Sequence, residues 1–303
     1  MNKISVIILT HKRPENIRKS IKSVLNQTYK DWELIVIDDN DPQSSFRKET
    51  SQVMKEFPQI KYVKNPKNLG TATARKIGLK KAKGEYIAFL DDDDTWHPKK
   101  LELQLRKFKT SKVKNLGFVY CNCKYVEHGR LRYKTDWRFR GSDLNKFILM
   151  HRGIGPSTAL MKRSLIKDVQ NPLIYAEEDY IYELKLLEKN VGFDYCKEIL
   201  VKYDMSGERM TSSAKKIESM KTTYRIACRY VNRLSFYEKM CFYANYHNKA
   251  SNVYINRNMR MKAFGSFILS VAYNPLHIYR RKVLVRILFG HSAGDALDRL
   301  VWS

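Results

Sequence analysis

The chain has 303 residues, 43% of them hydrophobic, which is enough to bury a large core. Its 57 Lys and Arg exceed its 31 Asp and Glu, and the net charge of +26 favours an anionic partner such as a phosphorylated substrate, a nucleic acid or an anionic membrane. No apolar run reaches the roughly 20 residues of a membrane-spanning helix, which excludes an integral membrane protein. Five scattered cysteines predict no disulfide framework and fit a reducing cytoplasm.

In the first 110 residues, apolar runs typical of buried strands alternate with amphipathic stretches typical of helices. Strands are predicted over residues 5–9, 34–37, 60–63 and 86–90. Helices are predicted from Pro14, over residues 71–82 and from Pro98. Continuous Val, Ile and Leu strands separated by such helices indicate an α/β fold with a mainly parallel central sheet, covered on both faces.

The pattern changes along the rest of the chain. Between residues 117 and 203 strands are predicted over 118–122, 157–161, 191–195 and 199–203, and a helix over 179–188. Beyond residue 213 the strand signals stop, and residues 205–303 contain 17 Lys and Arg against 5 Asp and Glu. We therefore predict an α/β domain over residues 1–213, followed by a basic helical C-terminal region over residues 214–303.

Polar clusters follow three of the predicted strands, at Thr10-His11-Lys12, Asp38-Asp39 and Asp91–Asp94. In a parallel sheet, ligands bind at the carboxyl ends of the strands. Four consecutive aspartates repel one another, and a hard divalent cation bound through carboxylate oxygens would relieve that repulsion. The alternative is a solvated turn in which Asp94 caps the following helix.

The same stretches resemble the family 2 inverting glycosyltransferases. The resemblance is carried by residues 5–10, by residues 23–29 with 32–39, and by Asn68-Leu69-Gly70, Ala74-Arg75, Gly78-Leu79 and residues 82–94. These motifs occur in the family's order and spacing. The resemblance is close over residues 4–108 and looser to about residue 213. It implies the GT-A fold, a single nucleotide-binding α/β domain.

The resemblance implies roles for several of these residues. Thr10 and Asp39 would contact the nucleotide, with Asp39 at the base, and Arg75 would lie near the base or the diphosphate. Asp91 and Asp93 would form the Asp-X-Asp motif for Mn²⁺ or Mg²⁺, and Asp92 would lie near the ribose. The chain departs from the family's usual residues at Leu9, His11, Lys12 and Lys76.

An inverting transfer also needs a general base for the acceptor hydroxyl. Glu177-Glu178-Asp179 heads a predicted helix and resembles the family's Glu-Asp motif, with Asp179 in the position of the base and Glu178 as the second candidate. Acids that stabilise a helix N-terminus are the structural alternative. Residues 203–212 resemble a late loop that closes over the diphosphate, where Arg209 would bind it. A surface arginine is the alternative.

Two basic segments bear on the acceptor. Residues 128–141 interleave basic and aromatic side chains, which is typical of an acceptor groove, of nucleic-acid binding or of a solvated hairpin. Residues 276–289 alternate basic and apolar side chains, which favours a helix lying in an anionic membrane interface over one packed on the α/β domain. We expect peripheral association with the inner face of the cell membrane and a saccharide or lipid-linked acceptor.

The leading interpretation is a metal-dependent, hexosyltransferase-type glycosyltransferase that uses a nucleotide-sugar donor, UDP-linked, in polysaccharide or glycoconjugate biosynthesis. A nucleic-acid-binding protein is disfavoured, because no nucleic-acid motif accompanies the charge and the strongest motifs are acidic. A sugar nucleotidyltransferase would carry a glycine-rich loop after the first strand, and residues 10–14 contain no glycine. Donor sugar, linkage and oligomeric state do not follow from the sequence.

Overall fold

The computed structural model describes residues 3–149, 154–165, 178–206, 215–255 and 257–274. The chain divides into two compact units. Of the described residues, the first unit holds 3–143, 154–165 and 182–206, and the second holds 144–149, 178–181, 215–255 and 257–274. The predicted boundary between residues 213 and 214 lies outside the described residues and stays a prediction.

The first unit is built on a sheet with nine strands among the described residues. They are β1 Ile4–Thr10, β2 Trp32–Asp38, β3 Lys61–Lys64, β4 Tyr86–Asp91, β5 Thr95–Trp96, β6 Leu116–Glu127, β7 Arg130–Lys134, β8 Leu160–Lys162 and β9 Gly192–Asp204. Their order is β3-β2-β1-β4-β8-β6-β9-β5, with β7 paired to β6. Strands β1 to β4 are parallel, as are β6 and β9, whereas β8 is antiparallel to β4 and β6.

Helices connect the parallel strands, as the amphipathic stretches predict. The described helices are α1 Pro14–Leu25, α2 Ser45–Met54, α3 Thr71–Lys81, α4 Lys100–Thr110, α5 Leu144–Leu149, α6 Glu178–Glu188, α7 Lys215–Ala227, α8 Phe236–Ile255 and α9 Arg260–Tyr273. In α1 the predicted stripe of Ile17, Ile21 and Val24 is fully buried. The predicted α/β class and the helical C-terminal region, as far as residue 274, are confirmed.

The register of the central strands decides where the polar clusters meet. Strand β1 lies between β2 and β4, and its core residue Ile7 pairs with Ile35 on one side and with Phe89 on the other. Thr10 therefore pairs with Asp38, and the preceding residue of β1 pairs with Asp91. The ends of three parallel strands thus deliver their polar residues to one edge of the sheet.

Two predicted strands differ from the structure. Residues 191–195 and 199–203 belong to one strand, β9, whose pairing with β6 shifts register between Cys121 and Cys123. This irregularity interrupts the alternation of apolar and polar residues that the prediction used. Pro156–Thr158 forms a 3₁₀ turn, so the strand predicted over 157–161 begins only at Leu160.

Lys100 is a fully buried cation in the first turn of α4. Its ammonium donates to Gln104 Oε1 at 2.8 Å and lies 4.0 Å from the centre of the Trp96 ring. Burial lowers the pKa of Lys100 to about 8, because the ammonium has lost its water of hydration. The hydrogen bond and the ring offset part of that cost.

This lowered pKa makes a prediction for Lys100→Met. In the unfolded chain the pKa of lysine is about 10.4. Between pH 8 and pH 10 the unfolded wild type therefore binds more protons than the folded protein, so the free energy of unfolding of the wild type rises with pH. Methionine does not titrate. The free energy of unfolding of the wild type minus that of the variant should therefore rise by roughly 2 kcal/mol from pH 7 to pH 10. Urea unfolding of both proteins across this range measures the difference, and a flat difference would contradict the lowered pKa.

Candidate active site

The first two polar clusters are joined by hydrogen bonds at the ends of β1 and β2. The carbonyl of Thr10 accepts from the Asp39 amide at 3.0 Å, and Asp38 Oδ1 accepts from the amide and the side chain of Asn40 at 2.9 and 2.8 Å. Asn40 Oδ1 in turn accepts from the Lys12 amide at 2.6 Å. Lys12 has a left-handed backbone, with φ of +60°, a conformation that a non-glycine residue adopts only where neighbouring contacts hold it.

Asp39 anchors the loop that leads into α3. Its carboxylate accepts from Asn65 Nδ2 at 2.7 Å, from the Leu69 amide at 2.9 Å and from the Gly70 amide at 2.8 Å. Gly70 has a φ of +79°, which glycine adopts without a steric penalty. A carboxylate has about four acceptor positions, and these donors use three of them. The predicted contact between Asp39 and the nucleotide base stays a prediction.

Arg47 of α2 is buried behind the same edge. Its Nη2 donates to the carbonyl of Asn65 at 2.8 Å and to that of Asp38 at 3.3 Å, and its Nε lies 3.3 Å from Asp38 Oδ1. One guanidinium therefore connects the end of β2 with the loop after β3. No sequence motif marks Arg47, because it lies within an ordinary amphipathic helix.

The aspartate run alternates between partly exposed and buried side chains. Asp91 and Asp93 have side chains that are 39% and 24% exposed, whereas Asp92 and Asp94 are buried. The Asp94 amide donates to the carbonyl of Asp91 at 3.1 Å, and Ser20 Oγ lies 2.8 and 2.7 Å from the carbonyls of Asp92 and Asp94. The turn thus leaves two carboxylates, separated in sequence by one residue, partly exposed.

Arg13, which no motif marks, binds two members of the run. Its Nη1 lies 3.1 Å from Asp92 Oδ1 and 2.5 Å from Asp93 Oδ2, and the His11 amide donates to Asp92 Oδ2 at 3.3 Å. Burial raises the pKa of Asp92 to about 7 although Arg13 acts in the opposite direction. Burial and the Asp91 carboxylate raise the pKa of Asp93 to about 6. Negative charge is crowded at this edge of the sheet, and one guanidinium only partly neutralises it.

Arg75 reaches the run from α3. Its guanidinium lies over the Phe89 ring, 5.5 Å from the centroid, and its Nη2 is 3.9 Å from Asp91 Oδ1. The side chain is buried, so its position is fixed by the helix and the sheet beneath it. The structure therefore brings Thr10, Asp39 and Asp91–Asp93 to one edge, as the strand-end rule predicts, and Arg75 joins them from α3.

Asp94 stabilises the turn from inside. Its carboxylate accepts from Ser157 Oγ at 2.7 Å, and the same Ser157 oxygen accepts from the Asp91 amide at 3.1 Å. Burial raises the pKa of Asp94 well above its usual value. Helix α4 begins at Lys100 with Lys99 in the capping position, so the interpretation of Asp94 as its cap is wrong. The 3₁₀ turn of residues 156–158 brings Ser157 to the run, a contact that local periodicity does not reveal.

The partly exposed pair of carboxylates fits a divalent cation of the Mg²⁺ or Mn²⁺ class. Within the described part of the chain, no three His, Cys, Asp or Glu side chains form a complete metal cage. Mg²⁺ usually takes one or two protein carboxylates and completes its shell with substrate phosphates and water. Asp91 and Asp93 provide that partial donor set, with oxygen ligands of the hard type that these cations prefer.

Comparison with known proteins identifies the family of the chain. The sequence profile described as "Glycosyl transferase family 2" matches residues 5–169. The chain belongs to glycosyl transferase family 2. It is 31% identical over 214 residues to UDP-Glc:alpha-D-GlcNAc-diphosphoundecaprenol beta-1,3-glucosyltransferase WfgD of Escherichia coli. The aligned region covers 69% of this chain and 80% of WfgD.

Two further likenesses concern Staphylococcus aureus proteins. The chain is 43% identical over 106 residues to poly(ribitol-phosphate) beta-N-acetylglucosaminyltransferase TarP, and the aligned region covers 34% of this chain and 32% of TarP. The crystal structure of S. aureus TarS 1-349 in complex with UDP-GlcNAc superposes with a TM-score of 0.61 at 15% identity, covering 91% of this chain and 93% of that one. This likeness concerns the fold, and with the family match it confirms the predicted GT-A fold.

The remaining predicted site residues of this glycosyltransferase belong to the second unit or lie outside the described residues. Asp179 is half-buried in the first turn of α6, and the structure assigns that turn to the second unit. Glu177, the Glu178 side chain, Arg209 and residues 276–289 lie outside what the structure describes. The roles of Asp179 as base and of Arg209 at the diphosphate therefore stay predictions.

In the basic and aromatic segment of the glycosyltransferase, residues 130–134 form an exposed hairpin strand, whereas Trp137 and Phe139 are buried. All five residues of β7 are exposed, and the strand pairs with the end of β6. The Tyr133 ring stacks on Tyr125 with 4.2 Å between centroids, and Tyr125 stacks on Tyr203 at 4.9 Å. The interpretation of this segment as a solvated hairpin is confirmed for residues 130–134, and an acceptor groove there stays a prediction.

Proposed function

We propose that this family 2 glycosyltransferase transfers a sugar from a UDP-linked donor to an acceptor hydroxyl, with inversion at the anomeric carbon, in the synthesis of a polysaccharide or glycoconjugate. One observation carries the proposal: Asp91 and Asp93 are both partly exposed at the carboxyl edge of the sheet, beside Arg13 and Arg75. Support for the nucleotide comes from the UDP-Glc named for WfgD and from the UDP-GlcNAc complex of TarS.

In this proposal the donor lies along the edge formed by β1, β2 and β4. Thr10 and Asp39 contact the nucleoside, with Asp39 using its remaining acceptor position on the base. Asp92 lies at the ribose and Asp91 and Asp93 hold Mn²⁺ or Mg²⁺. When bound, the cation supplies Lewis-acid stabilisation of the departing diphosphate. Arg75 and Arg209 add charge-assisted hydrogen bonds to the same phosphates.

Asp179 is proposed as the general base. Its carboxylate accepts the proton of the acceptor hydroxyl while the hydroxyl oxygen attacks the anomeric carbon from the face opposite the nucleotide. The new C–O bond forms as the bond to the diphosphate breaks, so the configuration is inverted. The proposal rests on the resemblance of residues 177–179 to the family's Glu-Asp motif and on the place of Asp179 at a helix start.

The acceptor is proposed to be a saccharide, either free or linked to a lipid diphosphate at the inner face of the cell membrane. The name of WfgD specifies a diphosphoundecaprenol-linked acceptor, which supports a lipid-linked substrate here. The net charge of +26 fits an anionic membrane surface. None of the helices described is both long enough and apolar enough to cross a bilayer.

A donor screen tests the proposed function. The full chain is incubated with UDP-, GDP- and CDP-sugars, Mn²⁺ and a lipid-diphosphate saccharide acceptor, and release of the nucleoside diphosphate is measured. We expect turnover with one or more UDP-sugars, suppression by a chelator, and a product whose anomeric configuration, read by NMR, is opposite to that of the donor. Turnover with GDP- or CDP-sugars alone, or a retained configuration, would contradict the proposal.

A further inference from the structure

Among the residues that the structure describes, helix α9 of the second unit has one packed face and one exposed face. On the packed face, Ala263 and Phe267 are buried with Ile255, and the hydroxyls of Ser251 and Ser270 bond across the α8–α9 pair. On the other face lie four large apolar side chains at helical spacing, which we call the apolar ridge. The ridge consists of Met261, Phe264, Ile268 and Leu269, which are 83%, 40%, 49% and 46% exposed.

The ridge carries no charge to keep it in water. From Ala263 to Asn274 no residue is charged, whereas 29% of the whole chain is. Gly265 and Ala272, which are also exposed on α9, add no polar side chain. A continuous apolar strip of this kind on a soluble surface marks a contact with a partner or a membrane.

Charge at one end of the helix identifies the partner. Arg260 and Lys262 are exposed at the start of α9, next to the ridge. An exposed apolar strip flanked by basic residues matches the interface of an anionic bilayer, where acyl chains receive the strip and lipid phosphates receive the cations. A second copy of this chain would bring the same cations with it, and like charges across an interface repel.

The length of α9 decides how it would lie. A helix of 14 residues is about 21 Å long, which is less than the roughly 30 Å of a bilayer's hydrocarbon core. A ridge along the full side of the helix is buried only when the helix lies parallel to the membrane plane.

We propose that the apolar ridge of α9 inserts into the interfacial layer of an anionic membrane, with Arg260 and Lys262 at the lipid phosphates. The inference rests on the membrane location in the proposed function and deepens it by naming the contact, but it depends neither on the donor nor on the metal. It gives the chain a membrane contact on a helix already formed and packed against α8.

Vesicle flotation with the full chain tests the ridge. Wild type, Phe264→Ser/Ile268→Ser and Arg260→Gln/Lys262→Gln are mixed with phosphatidylcholine vesicles with or without phosphatidylglycerol. Leu131→Ser is the matched control, because Leu131 is an apolar residue that is 52% exposed on β7 of the first unit. Circular dichroism and thermal melting show whether the variants remain folded, which we expect because the changed side chains are exposed.

We expect the wild type and Leu131→Ser to float with anionic vesicles. The partition coefficient of the ridge variant onto the same vesicles should be lower by about tenfold or more. The charge variant should bind the anionic vesicles more weakly and show a smaller dependence on salt than the wild type. Equal flotation of the wild type and the ridge variant, or no preference for anionic vesicles, would overturn the proposal. So would a ridge variant that changes only the oligomeric mass by light scattering, since the ridge would then join two copies. UDP-sugar turnover with a soluble acceptor should be unchanged in the ridge variant, so this readout is separate from that of the proposed function.

Discussion

Asp93→Asn is expected to lower kcat/KM for transfer from a UDP-sugar by about a hundredfold or more and to remove the response to Mn²⁺. Asp93 is one of two partly exposed carboxylates in the run that follows β4, and the amide keeps its shape but loses its charge. A neutral ligand binds a hard divalent cation far more weakly than a carboxylate does. The measurement is the initial rate of UDP release against Mn²⁺ concentration for the wild type and the variant.

Asp31→Asn is the matched control for this change. Asp31 directly precedes β2, at the opposite edge of the sheet from the aspartate run, and its carbonyl pairs with the Ile4 amide. The control should keep the wild-type rate and Mn²⁺ response. A similar loss in the control would show that the effect comes from net charge, and an unchanged Mn²⁺ response in Asp93→Asn would remove Asp93 from the metal site.

Asp179→Asn is expected to lower kcat by about 10²–10⁴-fold while leaving the affinity for UDP close to that of the wild type. An amide cannot accept the proton of the acceptor hydroxyl, whereas donor binding at the sheet edge involves other residues. Single-turnover transfer and UDP titration separate the two effects. The pH dependence of the residual rate should also lose its acidic limb, which a merely structural effect would not produce.

Glu188→Gln provides the comparison on the same helix, because Glu188 is exposed at the last residue of α6. This variant should transfer at the wild-type rate. If Asp179→Asn retained turnover, the base would be sought at Glu178 by the equivalent Glu178→Gln change. Loss of UDP affinity together with kcat would instead indicate a role for Asp179 in folding or donor binding.

Much of the first unit follows from local sequence patterns. Strands β1, β2 and β4 are continuous apolar runs that are buried on both faces, so their bounds are predicted to within two residues. Once these strands are taken as parallel, their polar ends must share an edge, which is why Thr10, Asp39 and Asp91 could be grouped without coordinates. The exposure of Asp91 and Asp93, alternating with buried Asp92 and Asp94, also agrees with the Asp-X-Asp spacing.

The supporting contacts could not be predicted in the same way. Arg13 and Ser157 reach the aspartate run from 80 and 66 residues away, and Arg47 bonds to a loop 18 residues further along the chain. Such pairs depend on how elements pack, whereas periodicity reports only which face of one element is buried. The backbone irregularity that merges two predicted strands into β9 has the same origin, since it is defined by pairing with β6.

The lysine at the start of α4 illustrates a further limit. Lys100 is a charged residue in an amphipathic helix, and lysine side chains in such helices are expected to be exposed. Its burial follows from Trp96 and Gln104, which provide a ring face and an amide oxygen for the ammonium. The rule that lysine is exposed therefore fails here, because Trp96 and Gln104, four residues before and after Lys100, replace the water that would otherwise hydrate its ammonium.

Titration of the full chain with UDP in the presence and absence of Mn²⁺, followed by calorimetry, tests most directly whether the edge at Asp91–Asp94 is a metal and nucleotide site. We expect UDP to bind when Mn²⁺ is present and to be preferred over GDP and CDP. After chelation UDP should bind at least tenfold more weakly, because a tenfold change corresponds roughly to the loss of one charge-assisted contact. Absence of UDP binding, or an affinity that is the same with and without the cation, would contradict the proposed site.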